Sequence, residues 1–176
     1  MDPPTLALSD DWAAIDPPEH DRISVPGGTV EIQMQVHRDL RVCSSAPERP
    51  PWRFILGATI SPPAGLSAPR GLTPVVRRAA VARFRGMLAD RGFTSLHPEG
   101  TTSIATPDGA TPLRRLRARV RIAGTEHPAV VMIAVFAAGD GWVTAAGASV
   151  LDHPEDPVDP TAVPAVLTRG IASVSR

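Results

Sequence analysis

The sequence predicts an α+β fold in which an antiparallel β-sheet of about five to seven strands is flanked by two helices. Several segments alternate apolar and polar residues and are separated by turn residues, a pattern typical of half-buried strands. Two other segments, 73–91 and 161–174, have apolar residues at helical spacing. Because the strands follow one another without regular helical crossovers, their order favours a layered α+β arrangement over a doubly wound sheet.

The chain has 176 residues, which suits a single domain, and 43% of them are apolar, enough to form a core. We assign residues 23–176 to that domain. Residues 1–22 contain four prolines among acidic residues, so we expect a loosely ordered N-terminal lead-in. Four residues of this segment are candidates to pack back onto the domain: Leu6, Leu8, Trp12 and Ile15.

The clearest strand pattern begins at Thr29, after a Pro-Gly-Gly turn. Apolar and polar residues alternate strictly as far as His37, which indicates one buried and one polar face. A proline-rich loop then separates this strand from a second predicted strand at 52–60. The apolar face of the first strand comprises Val30, Ile32, Met34 and Val36.

The strongest helix pattern runs from Thr73 to Arg91. Thr73 is predicted to cap its N terminus, because a threonine hydroxyl accepts hydrogen bonds from first-turn N–H groups, and Pro74 suits the first turn. Gly92 is predicted to end the helix. The predicted core-facing stripe comprises Val76, Ala80, Phe84, Met87 and Leu88.

Five strand-like segments follow this helix. The fourth is continuously apolar and is therefore predicted to be a central strand covered on both faces. A proline-rich acidic loop, 152–160, then leads to the final helix, for which Thr161 is the predicted cap. The five segments are 93–96, 101–106, 113–123, 129–137 and 142–151.

Composition and charge exclude several classes of protein. All 18 basic residues are arginine and are balanced by 18 acidic residues, so no net charge attracts nucleic acid or an anionic membrane. The single cysteine, Cys43, excludes an intramolecular disulfide and a cysteine-based zinc site. No apolar run reaches the ~20 residues that span a bilayer, and the N terminus lacks the pattern of a signal peptide, so we expect a cytoplasmic protein without membrane partners.

The most unusual local feature is a row of arginines on one predicted strand. Residues two apart on a strand lie ~6.6 Å from each other, so four guanidinium groups would line one face. Such a row suits phosphates or several carboxylates and predicts an anion- or partner-binding surface. The alternative is a solvated sheet face whose arginines pair with residues such as Glu31 or Glu126. The four residues are Arg115, Arg117, Arg119 and Arg121.

Motifs for catalysis, metals or cofactors are missing from the sequence. The five histidines have no HxH or HExxH spacing, and neither a GxSxG nucleophile motif nor a glycine-rich phosphate loop occurs. The acidic loop 152–160 lacks the glycine and the regular alternation of a calcium loop. We therefore expect no catalytic residue, no metal site and no cofactor, although catalytic groups can converge in space without a sequence motif.

Four stretches carry a resemblance to known proteins: PWRFILGATISPP (51–63), RAAVARFRGMLADRGF (78–93), GDGWVTAAGASV (139–150) and IASVS (171–175). They resemble a family of uncharacterised haloarchaeal proteins of about this size. The layout of strands and helices also resembles the Mog1/PsbP-like fold, an antiparallel sheet flanked by helices that occurs mostly in binding and assembly factors. The resemblance implies this fold and an archaeal source, and no activity.

Three functional hypotheses follow. The first is a non-catalytic protein-interaction or assembly module that uses a sheet face or the proline-rich loops. The second is nucleic-acid or polyanion binding through the arginine row, which would weaken steeply with salt. The third is a small-molecule carrier or an enzyme with a pocket between the helices and the sheet, which a polar-lined cavity would favour and a solid core would exclude.

Overall fold

The computed structural model describes residues 8–15, 17–25, 28–42, 49–63, 70–106 and 109–152. These residues form one antiparallel sheet of eight strands and a single α-helix. The strands are β1 (Trp12–Ala14), β2 (Glu19–Val25), β3 (Gly28–Asp39), β4 (Trp52–Ser61), β5 (Phe93–Thr106), β6 (Gly109–Ile122), β7 (Thr125–Ala138) and β8 (Gly141–Val150). A 3₁₀ turn (Arg70–Leu72) leads into helix α1 (Thr73–Asp90).

The strand order across the sheet is β1-β3-β4-β8-β7-β6-β5, and β2 also pairs with β3. β1 and β2 lie one after the other along the outer edge of β3, since Trp12 pairs with Asp39 and Glu19 pairs with Met34. The last four strands form a meander of hairpins, which β4 joins by pairing with β8. This order places β4, β8 and β7 in the middle of the sheet.

The central strands bury side chains on both faces of the sheet. On β7, Val131 and Ile133 belong to the core that contacts α1, whereas Val130 and Met132 belong to a second core on the opposite face. The prediction that the continuously apolar segment 129–137 is a central strand is therefore confirmed. A run without polar residues indicates such a strand because neither face meets water.

Helix α1 is fixed to the sheet by apolar packing and by hydrogen bonds from its first turns. Phe84 and Leu88 are buried against the sheet. Arg77 Nε donates to the Val135 carbonyl at 3.2 Å. The last residue pair between β6 and β7 is Arg114 with Ile133, and Val135 lies beyond it. Arg77 therefore supplies a hydrogen-bond donor to a carbonyl that has no paired residue on β6.

The predicted fold, a Mog1/PsbP-like sheet of five to seven strands flanked by two helices, is wrong for the residues that the structure describes. They form eight strands and one helix. The predicted final helix, from Thr161 to residue 174, lies outside the described residues.

Two of the extra strands, β1 and β2, involve the predicted lead-in 1–22. β1 has three residues, too few to show a period, and β2 reads EHDRISV, with polar residues on both faces. In the opposite sense, the segments predicted at 93–96 and 101–106 form one strand, β5, which continues through bulges around His97 and Pro98. Proline and glycine occur both at strand ends and at bulges, so the sequence pattern predicted two strands where one bulged strand is found.

The ends of α1 follow the prediction at one terminus only. Thr73 is the first helical residue and not the cap, since Leu72 occupies the cap position without a side-chain hydrogen bond. The Thr73 hydroxyl instead accepts a hydrogen bond from Trp142 Nε1 at 3.2 Å, because the buried indole needs an acceptor. Gly92 ends the helix as predicted, at φ +84°, and its N–H donates to the Ala89 carbonyl at 3.0 Å.

Candidate ligand-binding cleft

The helix-side face of the sheet contains a cleft, because α1 lies off centre. The helix contacts β7, β8 and β5 most closely and leaves the β3–β4 half of the described sheet only partly covered. Two adjoining cavities of about 360 and 210 Å³ open in this half. They share the side chains of Met34, Leu56, Phe84 and Met87, so they form one cleft. The larger cavity has the size of a small-molecule site, about 300 Å³ or more.

Strand and helix periodicity together produce the apolar walls of the cleft. Alternate residues of β3 and β4 form the floor, including Ile32 and Ala58, since every second side chain faces the helix. Ala80, Phe84 and Met87 line it from α1 at helical spacing. Small side chains on both sides keep the space open, which a closely packed core would otherwise fill.

Gly86 lies at the exposed rim of the larger cavity. An added Cβ there would meet nothing within 4 Å. A glycine inside a helix is destabilising relative to alanine by roughly 0.5–1 kcal/mol. Alanine at this position would therefore remove that cost without a steric conflict.

Two ion pairs link the edge strand β2 to α1 beside the cleft. Asp21 pairs with Arg83, and Glu19 pairs with Arg91 at 3.5 Å. The register of β2 on β3 places both acids on the helix side of the sheet. All four groups are about one-third to one-half exposed, so each pair stabilises by only ~0–1 kcal/mol. The links therefore hold β2 to α1 beside the cleft only weakly.

Thr144 is the one polar residue that β8 contributes to the floor of the larger cavity. It pairs in register with Ala58 of β4, which lines the same cavity. Sequence analysis missed this residue, although a signal was present. Thr144 is the one polar residue at the alternate positions of β8 that face α1. The other residues at these positions are apolar: Trp142, Ala146, Ala148 and Val150.

The structure places the predicted arginine row on the opposite face of the sheet from the cleft. Arg117, Arg119 and Arg121 have side chains that are 64–71% exposed, whereas Arg115 is 31% exposed. The row shares its face with Leu113, which belongs to the second core. The four side chains therefore lie in one row, as the strand period predicts, with three of them exposed and Arg115 partly buried.

Two glutamates neutralise part of the arginine row. Glu99 contacts Arg115 Nε at 2.6 Å and accepts from Arg117 Nε at 3.1 Å, and Glu126 contacts Arg119 at 3.0 Å. The hydrogen bond from Arg117 lowers the pKa of Glu99; partial burial opposes this, and the charge of Arg115 adds to it. With Arg121 also 3.9 Å from Glu126, four arginines share two carboxylates.

The alternative interpretation of the row, cross-strand pairing with glutamates, is seen at Glu126. The other predicted partner, Glu31, pairs instead with Arg22 at 3.0 Å. Since the four arginines and the two glutamates leave a formal charge of +2, the row keeps a local positive balance. Its role in binding an anion or a partner stays a prediction.

A buried carboxylate at the end of β3 forms a second charged cluster that sequence analysis missed. Asp39 is fully buried and accepts hydrogen bonds from Arg41 Nε at 3.0 Å and Arg53 Nη1 at 3.3 Å. Burial raises the pKa of Asp39, but the hydrogen bonds and charges of the two arginines outweigh it and hold the pKa below its ordinary value. The cluster holds the end of β3 to β4 and is structural.

In the part of the chain that the structure describes, no three histidine, cysteine, aspartate or glutamate side chains are grouped so that they could hold a metal ion. None of the helices in the described residues has the length and hydropathy needed to cross a membrane.

Fold and cleft together define an antiparallel β-sheet protein with an apolar cleft beneath the packed helix α1. The chain belongs to the family described as "Domain of unknown function (DUF6517)", whose sequence model matches residues 3–172. Neither a curated protein nor a solved structure matches the chain.

Proposed function

We propose that this protein binds a small apolar molecule in the cleft between α1 and the β3–β4 half of the sheet. One observation carries the proposal: a cavity of about 360 Å³, continuous with one of about 210 Å³, lies between a well-packed helix and a sheet. Both are lined mainly by apolar side chains with a few polar groups, the usual composition of a ligand site. Of the three hypotheses from the sequence, the geometry supports a small-molecule carrier best, with a mainly apolar cavity in place of the polar-lined one that the sequence hypothesis named.

The surroundings of the cleft favour a small molecule over a peptide. A peptide that adds a strand binds along a sheet edge, which in the described sheet is formed by β1 and β2 on one side and by β5 on the other, whereas the cleft lies on the helix-side face. The ion pairs of Asp21 with Arg83 and Glu19 with Arg91 join β2 to α1 beside the cavities. A compact molecule can enter the cleft without breaking these pairs.

We expect the neutral fluorescent probe N-phenyl-1-naphthylamine to bind with one site per chain. Small ligands gain roughly 0.3 kcal/mol or more per non-hydrogen atom, which is roughly 5 kcal/mol for this probe, so the dissociation constant should be on the order of 100 µM or lower. A titration that follows probe emission measures it, with 1-decanol added afterwards to compete for an apolar site. Saturable 1:1 binding that decanol reverses is the expected result.

Probe binding also occurs on partly unfolded proteins, so the titration needs a folding control. Near-ultraviolet circular dichroism of the three tryptophans, recorded in the same samples, reports whether the tertiary structure is retained. Emission that rises without saturation, or only where this signal is lost, would show that the folded protein has no such site.

A further inference from the structure

The floor of the cleft contains a buried hydroxyl that the fold leaves unmatched. Thr144 is 5% exposed, and its Oγ1 has no hydrogen-bond partner among the residues that the structure describes. Its neighbours in register, Ala58 on β4 and Val135 on β7, have apolar side chains. A buried hydroxyl without a partner is destabilising, whereas valine has the same shape without that cost. Packing alone therefore does not account for threonine at this position.

We propose that the ligand of the cleft combines an apolar body with one neutral hydrogen-bonding group, and that Thr144 binds that group. The inference rests on the proposed function and adds the chemical class of the ligand to it. A hydroxyl both donates and accepts, so the group is a hydroxyl, a carbonyl or an ether oxygen. The rest of the ligand contacts the apolar walls, including Met34, Leu56 and Phe84.

Charge in the cleft favours a neutral head group. The charged residues that line the cleft are two acids and two bases: Glu19, Asp90, Arg83 and Arg91. Each arginine is already paired with a carboxylate of β2, so neither is available to an anion. The position of Thr144 among apolar residues disfavours any ion, because a charge loses its hydration there without a counterion.

The geometry of threonine lets the hydroxyl reach a ligand without movement of the backbone. Thr144 lines the larger cavity, while its Oγ1 is buried in the unliganded conformation. The hydroxyl and the methyl group are similar in size and exchange places on rotation about χ1 between staggered rotamers. A ligand oxygen in the cavity would favour the rotamer that presents the hydroxyl.

The test compares three probes with one ring system: naphthalene, 2-naphthol and 2-naphthoate. Wild-type protein is expected to bind 2-naphthol most tightly and 2-naphthoate most weakly. Thr144→Val should weaken 2-naphthol binding by about three- to tenfold, the usual contribution of one hydrogen bond, and leave naphthalene binding unchanged or tighter. Thr144→Ser, which keeps the hydroxyl, should retain the preference for 2-naphthol over naphthalene.

A stability measurement on the unliganded protein adds a readout that does not depend on the ligand. If the hydroxyl is unmatched, Thr144→Val should raise the urea midpoint of unfolding, because it removes a buried polar group. A lower midpoint would show that the hydroxyl has a partner in the folded protein and would overturn the premise.

The two proposals fail in distinguishable ways. If the ratio of the affinities for 2-naphthol and naphthalene is the same in the wild type and in Thr144→Val, the role of Thr144 is contradicted and binding in the cleft is not. Tightest binding of 2-naphthoate contradicts the neutral head group. Absence of binding by all three probes contradicts the proposed function, and the inference about Thr144 is then lost with it.

Discussion

Replacing Asp39 by alanine is expected to lower the free energy of unfolding by about 1.5–3 kcal/mol, the usual contribution of hydrogen bonds to charged groups. Asp39 is fully buried, and Arg41 and Arg53 donate to both of its carboxylate oxygens. The substitution removes the carboxylate and leaves the arginine charges near the end of β3 without it. Urea unfolding at pH 7 measures the change.

The pH dependence of stability identifies the charged form of Asp39 as the source of this effect. Since its pKa is held below the ordinary value of 3.8, the stabilisation is fully present above that value. It is lost as the pH falls through the lowered pKa, so the wild type and Asp39→Ala should converge in stability below about pH 4. Asp90→Ala, which removes an exposed carboxylate, should change stability by no more than about 0.5 kcal/mol. An equally small effect of Asp39→Ala would contradict the assignment of this stabilisation to the charged form of Asp39.

Filling the cleft with Ala80→Phe is expected to weaken binding of N-phenyl-1-naphthylamine at least tenfold. Ala80 lines the larger cavity from α1, so the phenylalanine ring would occupy the space that the probe needs. The added ring meets an existing cavity and should cost less stability than the ~1–3 kcal/mol of overpacking in a closed core. Circular dichroism shows whether the variant is folded.

Ala82→Phe is the matched control for this substitution. Ala82 is exposed on the same helix and does not line either cavity. Ala82→Phe introduces the same side chain and should leave the dissociation constant of N-phenyl-1-naphthylamine unchanged. Equal affinities for the Ala80 and Ala82 variants would place the probe somewhere other than the cleft.

Sequence periodicity could predict the elements whose pattern is set by local burial. Helix α1 was expected at 73–91 and is found at Thr73–Asp90, because its apolar stripe and Gly92 are both local signals. The central strand β7 was evident from its continuous apolar run. By contrast, β1 and β2 gave no signal, since polar edge strands are stabilised by backbone pairing with β3 and not by a buried face.

The cleft could not be predicted, because it depends on contacts between distant parts of the chain. Ala58 and Thr144 become neighbours only through the pairing of β4 with β8. The off-centre position of α1, which opens the space, has no local signature either. For Thr144 the sequence held a partial signal, a lone polar residue at a core-facing position, which gains meaning only beside a cavity.

Methyl resonances of the methionines test the central claim most directly. The chain has four methionines, of which Met34 and Met87 line both cavities and Met132 is buried on the opposite face of the sheet. With ¹³C-labelled methyl groups assigned through Met34→Leu and Met87→Leu, a titration with N-phenyl-1-naphthylamine should shift the Met34 and Met87 signals together by ring currents. The Met132 signal should stay in place. Unchanged Met34 and Met87 signals in the presence of bound probe would contradict a ligand site in the cleft.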